Sequence, residues 1–156
     1  MKVLIFGGAG FVGLNLAEVL LARCHDVTLY DRAPLPPTAQ RSLADYKACL
    51  KVVQGDINDV EGIDALIAEG VDTIVLGAAV TAGDDLERAS TARVLEINVM
   101  AQIPILQAAI RRGVRRVVNL SSASAYGAAG GWAVHGRAAR SIRGRAWKAS
   151  LEWREH

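Results

Sequence analysis

Three glycines, Gly7, Gly10 and Gly13, stand in FGGAGFVG straight after the apolar run VLIF, and no other stretch limits the fold so sharply. An apolar run ending in glycines reads as a strand buried on both faces, the habit of parallel sheets. Glycines at this spacing, between such a strand and a helix, mark a dinucleotide-binding turn. Gly7 permits the tight turn, Gly10 lets a pyrophosphate reach the backbone, and Gly13 lets the helix pack close to the sheet. The phosphates would sit on the helix N-terminus, where free N–H groups and the dipole favour an anion. The expected contacts are therefore Gly7, Gly8, Ala9, Gly10, Phe11, Val12 and Gly13.

The rest of the chain alternates between strands and helices. GFVGLNLAEVLLARC (10–24) reads as a helix with Val12, Leu16, Val19 and Leu20 at helical spacing. DVTLYD (26–31) is a second strand, RAPLPPTAQ (32–40) a proline-rich loop and SLADYKACL (42–50) a short helix. KVVQGD (51–56) is a third strand, and residues 59–70 form a helix with Asp59 as N-cap. DTIVLGAA (72–79) is a fourth strand, residues 84–113 a long helix closed by Gly113, and VRRVVNLSS (114–122) a fifth strand. The order predicts an α/β fold, a doubly wound parallel sheet with helices on both faces. Pro104 predicts a kink in the long helix, because it lacks an N–H and crowds the preceding turn. Cys24 stands where a helix usually ends on glycine, and is strained there if its φ is positive.

Ligands of open α/β sheets bind beyond the carboxyl ends of the strands. Asp31 ends the second strand, where a carboxylate accepts both hydroxyls of an adenosine ribose and repels a 2′-phosphate. That favours NAD, while Arg32 could pair with a 2′-phosphate and leaves NADP open. Asp56, followed by Ile57, could touch the adenine amino group, and Gly77, Ala78 and Ala79 let a flat cofactor lie against the backbone. The net charge of +2 argues against nucleic acid as a partner. Cys24 and Cys49 have no metal-ligand spacing, so no metal is expected. No apolar run is long enough for a membrane span or a signal peptide, so a cytoplasmic protein is expected.

In order, GGAGFVG, YDR, GDI, GAAVT, INVMAQIPILQAA and SSASAYG cover residues 2–127 without a large gap. With these pieces the chain resembles the extended short-chain dehydrogenase/reductases, the NAD-dependent epimerase/dehydratase group, in its N-terminal Rossmann half. The resemblance implies hydride transfer at a hydroxyl or carbonyl, mostly on nucleotide sugars. It implies that the glycine turn binds pyrophosphate, Asp31 the ribose and Asp56 the adenine, with Ala78 and Ala79 lining the cofactor. Ser122 falls at the family's catalytic Ser/Thr, Ser124 is a second hydroxyl, and Asn98 falls where an asparagine supports the active-site water network. Tyr126 belongs to the closing YG and is not the catalytic tyrosine. A homodimer through the 84–113 helix is implied too, with Ile103, Leu106 and Ile110 offered to a partner, although core packing explains those residues equally well. The family usually carries His-Leu before the two alanines, where this chain has Leu76 and Gly77.

The resemblance also implies a Tyr-x-x-x-Lys pair on the next helix, with tyrosine as general acid/base and lysine lowering its pKa. After Tyr126 there is no tyrosine; Lys148 is the last lysine, and Gly144 stands four residues before it. The composition changes at about residue 128. Trp132, Trp147 and Trp153 fall there, with Arg137, Arg140, Arg143, Arg145 and Arg154. We therefore expect a dinucleotide-binding domain over 1–127 and an atypical basic tail over 128–156, without the C-terminal substrate domain. A frameshifted read-through of a GC-rich gene best matches that tail. A native partner-binding segment and a foreign tail on a truncated chain are the alternatives.

Overall fold

The computed structural model describes residues 1–80 and 92–121. Strand β1 (Lys2–Phe6) is apolar beyond Lys2 because both its faces are covered. It pairs in parallel with β2 (Asp26–Asp31) on one side and β4 (Thr73–Leu76) on the other. Strand β3 (Leu50–Gln54) extends the sheet beyond β2, and β5 (Arg116–Asn119) extends it beyond β4. The order is β3-β2-β1-β4-β5.

Side chains alternate across a strand, so β1 divides its residues between two cores. Leu4 and Phe6 join Tyr30, Ile74 and Leu76 beneath helices α3 (Val60–Ile67) and α4 (Gln102–Arg111). Val3 and Ile5 join Val27, Leu29 and Val75 on the opposite face, beneath α1 (Phe11–Ala22). This is the doubly wound sheet the alternation predicts.

The structure settles the buried face of α1 and corrects two expectations. Helix α1 buries Gly13, Ala17 and Leu21, whereas Val12 and Val19 are each half exposed. Gly13 has no room for a side chain because the first turn of α1 packs onto the glycine turn, where a Cβ would lie 2.8 Å from Gly8 Cα. The short helix expected over 42–50 is instead α2 (Pro37–Ser42) followed by a 3-10 turn at Ala44–Tyr46, and Leu50 already belongs to β3. Pro37 sits in the first turn of α2, where a missing N–H costs nothing. The long helix is not one helix: from residue 92 a helical turn enters a π-helix (Glu96–Met100), and α4 then begins at Gln102. Pro104 has no N–H to return to the preceding turn, and the ladder changes pitch just before it, with Ala101 N–H donating to the Glu96 carbonyl at 2.8 Å.

Asp59 caps α3 as expected, accepting from the Gly62 N–H at 3.1 Å. Helices α1 and α4 end in the same left-handed turn, with φ of 58° at Cys24 and 70° at Gly113. In each, the next two N–H groups close back onto the last turn, from Cys24 and His25 to Leu21 and Leu20, and from Gly113 and Val114 to Ile110 and Ala109. The strain expected at Cys24 is therefore present.

Met1–Leu120 is one compact unit, within which residues 81–91 are not described. The expected boundary at 127 and the tail over 128–156 lie outside the described residues.

Candidate functional site

The chain runs outward from β1 to β2 and β3, then crosses back to β4. That reversal opens a crevice at the carboxyl ends of β1 and β4, where ligands of open α/β sheets bind. A cleft of about 200 Å³ lies there, lined by Phe6, Gly7, Gly10, Tyr30, Asp31, Arg32, Gly55, Asp56, Ile57, Gly77, Ala78, Ala79, Val80 and Ile97.

The glycine turn forms its floor. Gly7 has a φ of 76°, and a Cβ there would come within 2.7 Å of the Ala78 backbone nitrogen, so no other residue fits. A Cβ on Gly13 would strike the Gly7 carbonyl oxygen and lie 2.8 Å from Gly8 Cα. Gly10 differs: a Cβ there would meet only the Gly7 carbonyl oxygen, at 3.2 Å. A Cβ at position 10 is thus a tight contact that the Gly7 carbonyl must relieve by a few tenths of an ångström, a milder constraint than at Gly7 or Gly13, and a ligand seated on the backbone would add to it. The N–H groups of Phe11, Val12 and Gly13 donate to no backbone acceptor among the described residues, and the first turn of α1 carries no acid. An anion would satisfy these donors and the helix dipole together.

Asp31 stitches the wall beside this turn. One carboxylate oxygen accepts from the Ala9 N–H at 2.9 Å and the other from the Ala33 N–H at 2.9 Å. Each oxygen keeps a further lone pair for a ribose hydroxyl. The Tyr30 carbonyl accepts from the Gly7 and Gly8 N–H groups at 3.0 and 3.1 Å. Gln54 Nε2 donates to the Arg32 carbonyl at 2.9 Å, which holds the loop after β2. At the end of β3, Asp56 accepts from the Asn58 N–H at 2.9 Å through one carboxylate oxygen. Burial, then the charges of Asp59 and Asp56, push the Tyr30 phenol above its ordinary value.

On the far side, Asn98 holds the chain beyond β4 in a two-bond clamp. Its Oδ1 accepts from the Val80 N–H at 2.8 Å, and its Nδ2 donates to the Val80 carbonyl at 3.0 Å. Gly77, Ala78 and Ala79 lie between this clamp and the glycine turn, and keep that wall low.

The cleft thus gathers Gly7, Gly10, Asp31, Arg32, Asp56, Ile57, Gly77, Ala78 and Ala79 from the expected set. Gly8, Ala9, Phe11, Val12 and Gly13 build the turn without lining the cleft, and the Asn98 amide is directed to Val80. Ser122, Ser124 and Tyr126 lie outside the described residues. Phe6, Tyr30, Gly55, Val80 and Ile97 are lining residues that sequence reasoning missed. For Tyr30 and Gly55 a signal existed: both stand beside an aspartate at the carboxyl end of a strand.

The sequence matches the NAD dependent epimerase/dehydratase family over residues 3–140. The chain belongs to that family. A 3 beta-hydroxysteroid dehydrogenase/Delta 5-->4-isomerase of Mycobacterium tuberculosis is 40% identical over 126 residues, which are 79% of this chain and 32% of that protein. A UDP-glucose 4-epimerase of Stenotrophomonas maltophila, solved with bound NAD and formylated UDP-arabinopyranose, superposes with a TM-score of 0.72 at 28% identity. The match covers 81% of this chain and 38% of that one. A dTDP-glucose 4,6-dehydratase of Streptomyces venezuelae with NAD bound gives a TM-score of 0.68 at 33% identity, over 81% of this chain and 41% of that one. The chain therefore spans about a third to two-fifths of the length of these family members.

Among the described residues no cluster of three or more His, Cys, Asp or Glu could hold a metal ion, and no helix is long and apolar enough to cross a membrane.

Proposed function

We propose that the chain binds NAD in this cleft and serves hydride exchange at a hydroxyl or carbonyl carbon of a small substrate, a nucleotide sugar. The observation that carries the reading is Gly10. It lies at the mouth of α1 among N–H groups without a backbone partner among the described residues, and a side chain there would crowd the protein less than at Gly7 or Gly13 while standing in the way of a ligand. The nicotinamide, when bound, supplies the carbon that accepts or returns hydride. The turn and the α1 N-terminus hold the pyrophosphate. Asp31 accepts the ribose hydroxyls and disfavours a 2′-phosphate, Arg32 being the cation that would tolerate one. Asp56 and Ile57 flank the adenine, while Gly77, Ala78 and Ala79 give the cofactor a flat wall. Asn98 acts on that wall through Val80. Ser122, supported by Ser124, is our candidate for bonding the substrate oxygen.

The substrate class is supported by solved relatives that hold sugar nucleotides, and the steroid relative marks the breadth of the family. Residues 127–156 hold no tyrosine, and so no Tyr-x-x-x-Lys pair. We therefore read the chain as binding cofactor with little or no turnover. The same fact favours a second reading, a non-catalytic NAD-binding module that works through a partner. A third reading, an NADPH-dependent reductase, rests on Arg32. Exposed Ile103, Leu106 and Ile110 on α4 support pairing with a second copy. We place the protein in the cytoplasm.

Calorimetric titration of the full chain tests this reading. NAD should bind saturably and more tightly than NADP. Asp31→Ala should weaken NAD by roughly tenfold to a hundredfold, the worth of charge-assisted hydrogen bonds, and leave NADP unchanged or tighter. Tighter binding of NADP to the native chain would favour the reductase. Steady NADH formation from a nucleotide sugar would overturn the impaired reading, and no binding of either cofactor would overturn all three.

A further inference from the structure

Tyr30 makes contacts that link two parts of the cleft. Its carbonyl accepts from both Gly7 and Gly8 at the phosphate turn. Its hydroxyl donates to the Asp56 carbonyl at 2.7 Å, across the strand end where β3 gives way to its loop. The ring is buried, edge-on to Phe6 with centroids 5.3 Å apart. It fills the room a side chain at position 55 would need, since a Cβ on Gly55 would strike the phenol oxygen and lie 2.7 Å from Cζ. The Asp56 carbonyl also accepts from the Asp59 N–H at 3.0 Å, so both its lone pairs are engaged. With Oδ1 of Asp56 on the Asn58 N–H, the backbone and one carboxylate oxygen of this residue are fixed before any ligand arrives. The other oxygen, Oδ2, makes no hydrogen bond among the described residues and is an obligate acceptor when ionised.

We propose that Tyr30 is a positioning residue for cofactor selection, holding Asp56 so that its free carboxylate oxygen accepts the 6-amino group of an adenine ring. The inference rests on the NAD-binding reading above, in which Asp56 meets the adenine, and adds to it the residue that holds Asp56 in place. A hypoxanthine ring carries a carbonyl at that carbon and would set one acceptor against another. The buried phenol stays protonated well into the alkaline range, so the donor to Asp56 is present at any ordinary working pH.

The test is calorimetric titration of the full chain with NAD and with nicotinamide hypoxanthine dinucleotide, which replaces the 6-amino group by a carbonyl and places a proton on the neighbouring N1. The native chain should prefer NAD by about tenfold or more, the factor one charge-assisted hydrogen bond supplies. Tyr30→Phe removes one oxygen atom and should bring the two affinities to within about threefold, mainly by weakening NAD. A general loss of stability would weaken both dinucleotides alike and leave the ratio unmoved. Gly55→Ala, which drives the phenol off Asp56, should narrow the ratio by a second route, so the test survives if one variant does not fold. A native preference that persists in both variants overturns the role of Tyr30, and equal native affinities overturn the base selection itself. Binding of neither dinucleotide to the native chain overturns the NAD reading, and this inference with it.

Discussion

The two walls of the cleft are built differently. The wall from β1, β2 and β3 is stitched by the protein itself: the turn to Tyr30, Ala9 to Asp31, Tyr30 to Asp56, and Gln54 to the loop after β2. The wall beyond β4 is held by Asn98 on Val80, and β5 beside it is largely exposed, with Val118 39% and Leu120 42% accessible. Residues before about position 60 therefore supply most of the hydrogen bonds around the cleft, and among the described residues the β4 side contributes fewer. A family that keeps one nucleotide and changes its substrates would divide its fold in this way.

The strongest way to break the stitched wall is Gly13→Ala. Its Cβ strikes the turn itself, so it should cost about 1–3 kcal/mol of stability and abolish NAD binding. Thermal melting and calorimetry on one sample check both. Asn98→Ala attacks the other wall and removes both bonds to Val80. It should cost about 1–2 kcal/mol and change NAD affinity less than any substitution in the turn. If Asn98→Ala removes binding outright, the contrast between the walls fails.

A third substitution reverses the comparison, because here the better-built element lies on the β4–β5 side. Helix α4 closes on Gly113 and α1 closes on Cys24 in the same left-handed turn. Cys24→Gly should relieve about 1 kcal/mol of backbone strain and raise the melting temperature by roughly 2–4 °C. The smallest effect is expected at Asp64, which joins α3 to the end of α4 through Arg111 at 3.0 Å and through Arg112. The hydrogen bonds from Arg112 and Arg111 hold its carboxyl below the usual carboxylate range. Its contribution is present above the ordinary carboxylate pKa and fades as pH falls through the lowered value. Asp64→Asn should therefore melt slightly below the native chain at neutral pH and level with it in strong acid.

Much of this was legible from residue order. The glycine turn, the alternation and the N-cap at Asp59 are local signals, and the fold follows them. The buried face of α1 is not marked by apolar size: Val12 and Val19 are half exposed, whereas close packing selects Gly13 and Ala17. Helix α2 was hidden by prolines that read as a loop, although Pro37 suits a first turn. Asp31 was visible as a ribose acceptor, but its bond to Ala9 spans 22 residues and depends on the turn folding back over β2. Tyr30 and Asp56 are 26 residues apart and meet only through the β2–β3 register, which no local pattern encodes.

The central claim is that the missing side chain at Gly10 makes room for a cofactor more than for the protein. Gly10→Val, whose Cβ would meet only the Gly7 carbonyl oxygen, at 3.2 Å, tests it most directly. Calorimetric titration with NAD, paired with a thermal melt, should show the native chain binding one cofactor. The variant should melt within a few degrees of it and bind at least about a hundredfold more weakly, a loss of roughly 2.8 kcal/mol. Equal binding by the two would contradict the account and place the cofactor elsewhere.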